Sequence, residues 1–161
     1  MNRTVSSAPT ALTDFPPREI RQVSYDELCR GVEALCNLIE SSQDGWKPDA
    51  IVAVVRGGLV PATHVCHFFN RPIYFIYNDV LLDKLEGHKR ILIVDEINDT
   101  GRAFQRIRDG IFSKPPNDTF DVRYAVLYTR HTTQFKADYF LDYEPFFLNT
   151  PAWQQFPWER E

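Results

Sequence analysis

The apolar positions of this chain change period several times, and each change marks an element. Ser24-Tyr25-Asp26-Glu27 sets a hydroxyl three residues ahead of a glutamate, the capping pattern of a helix start. Leu28, Val32, Leu35, Cys36 and Ile39 follow at helical spacing, so a helix is predicted from about 25 to 42. Gly45 and Pro48 close it. Ile51 to Val55 is a short, continuous β-branched run, the pattern of a strand covered on both faces in a parallel sheet. Arg56-Gly57-Gly58 breaks it, and Pro61 sits where a helix could begin, with Ala62, Val65, Cys66 and Phe69 on one face. Asn70 and Pro72 end that helix. Strands are predicted at Ile73–Tyr77, Ile91–Val94 and Val122–Tyr128, with a possible fifth at Tyr139–Leu141. Residues 78 to 90 are polar and mixed, turning at Gly87. A helix carrying Phe104, Ile107 and Ile111 follows the third strand and stops at Lys114-Pro115-Pro116-Asn117. Strands alternating with helices predict an α/β domain with a mainly parallel sheet flanked by helices.

The 161 residues suit one domain, and 43% apolar content is enough for a sizeable core. Residues 1 to 22 are expected to be a loose N-terminal segment, and 23 to 161 a single domain. The longest apolar runs hold about five residues, where a bilayer span needs about 20. The first 17 residues lack the apolar stretch of a secretory signal. Three cysteines, Cys29, Cys36 and Cys66, make neither a disulfide framework nor a zinc ribbon. Cys29 and Cys36 lie seven apart, as two core positions on one helix face would. Structural cysteines imply a reducing compartment, hence a cytoplasmic protein. The net charge of −4, without an evident basic cluster, argues against a nucleic-acid groove. His64 and His67, three apart on a helix without a third ligand nearby, read as structural or surface residues. Aromatic content is high at 14%, and nine of these side chains fall between Phe135 and Glu161.

Two strand exits carry functional groups, and in open parallel sheets ligands bind beyond the C-terminal strand ends. After Ile91–Val94 come Asp95, Glu96, Asp99, Thr100 and Gly101. A helix start at Thr100-Gly101 would offer unpaired N–H groups to a phosphate. Adjacent carboxylates suit vicinal hydroxyls or a hard cation such as Mg²⁺. Together they describe a site for a ribose phosphate. At the other exit, Gly57-Gly58 permits close backbone approach to an anion and Arg56 adds a bidentate donor. The Walker, dinucleotide-binding, nucleophile-elbow and HExxH motifs are absent.

The run Ile91-Leu-Ile-Val-Asp-Glu-Ile-Asn-Asp-Thr-Gly101 resembles the diphosphoribosyl-binding signature of the type I phosphoribosyltransferases. Ala50-Ile-Val-Ala-Val-Val-Arg-Gly-Gly-Leu-Val-Pro61, preceded by Trp46, resembles the pyrophosphate loop of their xanthine-guanine and hypoxanthine branch. Ala137-Asp138-Tyr139, Trp153 and Phe156-Pro157-Trp158-Glu159 are similar to that branch's base-binding hood, formed here by about 135 to 161.

The resemblance implies transfer of the phosphoribosyl group of 5-phosphoribosyl-1-pyrophosphate (PRPP) to a 6-oxopurine (xanthine, guanine or hypoxanthine), with Mg²⁺ and release of pyrophosphate. It implies that Asp95 and Glu96 bind the ribose and contact the metal, and that Thr100, Gly101, Arg102 and Ala103 cradle the 5′-phosphate. Arg56 and Gly57 would bind pyrophosphate. Asp99 would be the general base facing the purine, and Arg130, Trp153 and Gln154 would contact the base, with Trp153 stacking on it. Phe156 and Trp158 are expected to pack the hood onto the sheet; Phe140, Tyr143, Phe146 and Phe147 are expected in packing or an interface. A homodimer or homotetramer is also implied. The chain departs from the family pattern at Arg102-Ala103, at Arg130 in place of a lysine, and in a short 78–90 segment over the site. The alternative is a nucleotide-binding or regulatory protein of the same fold with little catalysis.

Overall fold

A computed structural model describes residues 19–143, 146–148 and 152–159. Its elements begin with β1 (Ile20–Gln22), α1 (Tyr25–Glu40), β2 (Ala50–Val55), α2 (Leu59–Phe69), β3 (Ile73–Tyr77) and β4 (Val80–Leu81). They continue with β5 (Arg90–Asn98), α3 (Arg102–Ile107) running into a π-helical turn to Phe112, β6 (Asp121–Arg130), β7 (Tyr139–Phe140), β8 (Phe147–Leu148) and β9 (Trp153–Gln155). The main sheet has the order β4-β3-β2-β5-β6-β7, with β8 pairing the far end of β6. Its ladders are parallel except for the β3–β4 hairpin. The mainly parallel α/β sheet predicted from the pattern is the observed one.

The continuous apolar runs are explained by burial on both faces. Ile51 and Ala53 of β2, Leu92 and Val94 of β5, and Ala125 and Leu127 of β6 face α1 and α2 in one core. Their neighbours Ala50, Val52, Ile91, Ile93, Tyr124 and Val126 face Phe104, Ile107 and Ile111 in the other. With no wet face on the central strands, alternation has no reason to appear in the sequence.

The capping pattern at Ser24 is realised: its hydroxyl accepts from the Glu27 N–H at 3.1 Å. The α1 stripe Leu28, Val32, Leu35, Cys36 and Ile39 is buried. Cys29, expected beside Cys36 in the core, is exposed. It sits one residue round the helix from Leu28, at the margin of the stripe and near the helix start. His64 and His67 lie on the exposed side of α2.

Other expectations change. Residues 20–22, assigned to the loose lead-in, form β1 and pair in parallel with β9, Ile20 opposite Trp153 and Gln22 opposite Gln155; residues 1–18 lie outside the described chain. The segment 78–90 is not a plain polar loop. Asn78 (φ 48°) and Asp79 (φ 60°) make a two-residue hairpin turn between β3 and β4, as two successive positive φ angles allow. Leu85 is buried in the second core, and Asp79 accepts from Arg106 of α3 at 2.8 Å. Both β5 and β6 run past their expected ends, because their ladder continues through Asp95↔Val126 and Ile97↔Tyr128 to Asn98↔Thr129.

At the opposite end of the sheet, Asp49 ties the starts of β2 and β5. It accepts from the Arg90 guanidinium at 2.8 Å and from the Arg90 and Lys89 N–H groups at 3.0 and 3.2 Å. These contacts outweigh burial and hold its carboxyl down to about 2. The folded value lies below the ordinary aspartate value near 3.9, so the contribution is complete above that pH and is lost as pH falls toward 2. Asp49→Asn is expected to lower unfolding free energy by about 1 kcal/mol at pH 7, after allowance for solvent screening. In urea titrations, wild type and variant should converge at pH 2.

Candidate active site

The C-terminal ends of β2, β5 and β6 meet on one edge of the sheet, and the polar residues singled out in the sequence gather there. Asp95 and Glu96 are not beyond strand β5 but within it, since the ladder to β6 continues to Asn98. Asp95 is 8% exposed, and its Oδ1 accepts the Glu96 N–H at 2.8 Å. Burial, and then the Glu96 charge beside it, push the Asp95 carboxyl well above the usual range. Glu96 Oε2 is buried without a hydrogen-bond partner. An uncompensated buried acceptor costs on the order of 1–3 kcal/mol; vicinal hydroxyls or a cation would remove that cost.

The loop after β2 closes against this pair. A Cβ on Gly57 would overlap the Glu96 carboxylate, and one on Gly58 would lie 2.8 Å from the Val54 carbonyl and 3.0 Å from Asp95 Cα. At Gly58 the obstacle is backbone, which excludes a side chain; at Gly57 it is the end of the Glu96 side chain, which a Cβ would push aside. The Val55–Arg56 peptide is cis, and the Arg56 side chain is exposed.

The turn after β5 is built on Gly101. Its φ of +87° and its 2.6 Å approach (for an added Cβ) to the Phe135 N–H nitrogen leave room only for glycine. Thr100 is exposed; its Oγ1 stands 3.4 Å from the Arg102 N–H. Arg102 and Ala103 follow at the open start of α3. Asn98 and Thr133 brace this turn: Asn98 Nδ2 donates to the Phe135 carbonyl at 2.7 Å, and the Thr133 hydroxyl lies 3.3 Å from Asn98 Oδ1. Neither was singled out in the sequence. The sequence carried no signal for them, because the strand that ends at Asn98 reads as ending at Val94.

On the third side, Arg130 at the end of β6 donates through Nε to Asp99 Oδ1. Its Nη2 stands 3.4 Å from the Ala152 carbonyl of the hood. This brings the expected base-site residues Asp99 and Arg130 into contact with each other and places them next to Trp153. Trp153 is half-buried on β9 and its N–H donates to the Glu19 carbonyl at 2.7 Å. Gln154 is 1% exposed, and its side-chain oxygen is taken by Arg21 at 2.9 Å, so only its backbone remains for a base. Phe156 packs on Tyr128 at 5.5 Å and stacks on Trp158 at 5.0 Å, which fixes the hood to the sheet. Phe146 also packs on Tyr128, while Tyr143 is exposed. The side chain of Phe147 lies outside the described residues.

The mainly parallel sheet flanked by helices is the fold of phosphoribosyltransferases of known structure. Named proteins of this fold include purine phosphoribosyltransferases and an orotate phosphoribosyltransferase of Aeropyrum pernix, which superposes with a TM-score of 0.53 at 18% identity over 68% of this chain and 62% of that one. The chain is 29% identical over 155 residues to a xanthine-guanine phosphoribosyltransferase of Chromohalobacter salexigens, covering 85% of this chain and 82% of that protein. The xanthine-guanine-hypoxanthine phosphoribosyltransferase of Helicobacter pylori superposes with a TM-score of 0.73 at 26% identity, over 88% of this chain and 93% of that one. A purine phosphoribosyltransferase of Pyrococcus horikoshii superposes with a TM-score of 0.70 at 24% identity, over 88% and 95%. No family model matches the chain. The relatives are phosphoribosyltransferases, hence pentosyltransferases. No helix among the described residues is long and apolar enough to cross a membrane.

Proposed function

We propose that the protein transfers the phosphoribosyl group of PRPP to a 6-oxopurine, xanthine, guanine or hypoxanthine, in purine salvage. One observation carries the reading. A buried acidic pair with an unpartnered oxygen, a glycine turn at a helix start and an aspartate–arginine pair under an aromatic hood converge on one sheet edge. Each matches one portion of the two substrates.

The ribose hydroxyls donate to Asp95 and Glu96, which satisfies the orphaned Glu96 oxygen. The 5′-phosphate sits on the turn Thr100–Ala103, with N–H groups beneath it and the Arg102 charge beside it. The pyrophosphate lies against the backbone of Gly57, under the exposed Arg56. Trp153 stacks on the base, and Arg130 donates to its 6-oxo group. The bond from the ribose C1 to the pyrophosphate oxygen breaks, and its electron pair leaves with pyrophosphate. A base nitrogen bonds to C1, and Asp99 accepts the imidazole proton. Arg56 stabilises the charge gathering on the leaving group.

Mg²⁺ fits the donor set at Asp95 and Glu96: hard oxygens, buried, short of partners. Among the described residues no three acidic, His or Cys side chains group tightly enough to hold a metal alone. The ion would take its remaining ligands from substrate oxygens and water, as Mg²⁺ commonly does. When bound it neutralises the pyrophosphate. The reading also carries the homodimer or homotetramer and the cytoplasmic setting expected from the sequence.

The test is pyrophosphate release from PRPP and Mg²⁺ with xanthine, guanine, hypoxanthine, adenine and uracil in parallel. Turnover confined to 6-oxopurines is expected; a pyrimidine-only result would refute the reading. Stacking on an aromatic ring is worth about 1–3 kcal/mol per base. Trp153→Ala is therefore expected to raise KM for the base by roughly tenfold or more and to leave KM for PRPP near wild type. Initial rates with each substrate varied in turn would check this.

A further inference from the structure

A polar chain beneath the hood links residues far apart in sequence that the proposed chemistry does not use. Arg21 on β1 stands opposite Gln154 on β9 in the parallel register. Its Nη1 donates to Gln154 Oε1 at 2.9 Å and its Nη2 to Glu27 Oε1 at 2.8 Å. The Tyr128 hydroxyl donates to that same Glu27 oxygen at 2.7 Å. Gln154 is 1% exposed and Tyr128 fully buried, so the two ends of the chain are shielded from water, while the Arg21 side chain between them is 34% exposed. Beyond Gln154 the chain reaches the Ala152 carbonyl, which stands 3.4 Å from both Gln154 Nε2 and Arg130 Nη2. Arg130 then donates to Asp99.

We propose that Arg21 is a positioning residue for the base pocket. By fixing the Gln154 side chain it sets where β9 holds the Ala152 carbonyl and Trp153 over Arg130 and Asp99. The inference rests on the function proposed above and extends it to a segment that touches no substrate. An arginine suits the task because its planar fork reaches an amide oxygen and a carboxylate at once. A lysine could keep the attraction to Glu27 but not both bonds. With Gln154 released, its buried amide oxygen loses its donor and β9 loses the inner of two side-chain ties to β1, while the Gln22–Gln155 tie and the backbone pairing remain. The phosphate and pyrophosphate portions of the site sit on β2, β5 and α3 and do not depend on this anchor.

The test uses the full chain with Arg21→Lys, Gln154→Met and the double variant. Steady-state kinetics are run with base and PRPP varied separately, along with thermal melting and quenching of Trp fluorescence by guanosine 5′-monophosphate. Expected for Arg21→Lys is a rise of about tenfold in KM for the base and in the nucleotide Kd, with kcat and KM for PRPP within about twofold. Gln154→Met breaks the same contact from the other side and should act alike, even where Arg21→Lys fails to fold. The double variant should raise KM for the base by clearly less than the product of the two single effects, because the two changes share the Arg21–Gln154 link. A lowered Tm with unchanged KM for the base would overturn the proposal, as would an equal rise in both KM values. If the wild type binds the nucleotide but turns over no base, the proposed function falls. The positioning role then stands or falls on whether Arg21→Lys weakens nucleotide binding. If the wild type neither binds nor turns over, both are overturned.

Discussion

Asp99→Asn is expected to lower kcat for the 6-oxopurine reaction by about 10²-fold or more, the range that a positioned general base contributes. The substitution keeps the size of the side chain and an oxygen that Arg130 can still bond. Its effect on folding should stay within about 1 kcal/mol, because the pair it weakens is partly exposed, with the Asp99 side chain 38% accessible. KM for PRPP should change little, since Asp99 lies on the base side of the turn. Single-turnover rates separate this loss of chemistry from slower product release. An Asp99→Asn enzyme with near wild-type kcat would remove Asp99 from the role of base.

The second large effect comes from a single methyl group. Gly57→Ala places a Cβ where the Glu96 carboxylate now lies. The obstacle is the far end of a flexible side chain, so the fold can yield by turning Glu96 away. That movement separates the two carboxylates proposed to hold the ribose. The expected result is a Tm close to wild type and a rise in KM for PRPP of roughly 10- to 100-fold, as for loss of one or two charge-assisted hydrogen bonds. KM for the base should rise far less. Glu96→Gln, which removes the charge without the steric conflict, should shift the same parameter. Varying each substrate at saturating levels of the other reads both outcomes.

Much of this arrangement was legible in the chain, for local reasons. The Ser24 cap, the α1 stripe and the apolar runs of β2 and β5 each depend on residues within a few positions of one another. So do the glycines after β2 and β5, which mark where backbone must pass close to something. The packing of Phe156 and Trp158 was expected from the resemblance of 156–159 to a base-binding hood, and the two rings stack on each other with Phe156 against Tyr128. What could not be read depends on register between distant segments. Nothing local says that Ile20–Gln22 pairs with Trp153–Gln155, so residues 20–22 looked like the end of a loose segment and Gln154 looked free for a base. Nothing local says that the β5–β6 ladder runs on to Asn98 and Thr129, so Asp95 and Glu96 looked like loop residues. Cys29 has the spacing of a core residue, yet it lies at the margin of the buried α1 stripe and is exposed.

The meeting of Asp99 and Arg130 has the same origin. In the sequence they are candidates for two separate contacts with a base, one accepting and one donating. In the fold they satisfy each other. A 6-oxopurine offers a donor to the aspartate and an acceptor to the arginine, so it can enter the pair and replace each partner with one of matching polarity. A base without a 6-oxo acceptor leaves the guanidinium short of one bond, and a buried donor without a partner is costly. This is the physical reason to expect discrimination against adenine.

The most direct measurement is chromatography of the nucleotide formed when purified protein is incubated with PRPP, Mg²⁺ and each base, with pyrophosphate counted in the same samples. The proposed function predicts a 6-oxopurine 5′-monophosphate in one-to-one ratio with pyrophosphate, and little or no product from adenine or uracil. Absence of any purine nucleotide from protein that still binds guanosine 5′-monophosphate would contradict catalysis and leave a nucleotide-binding protein of this fold.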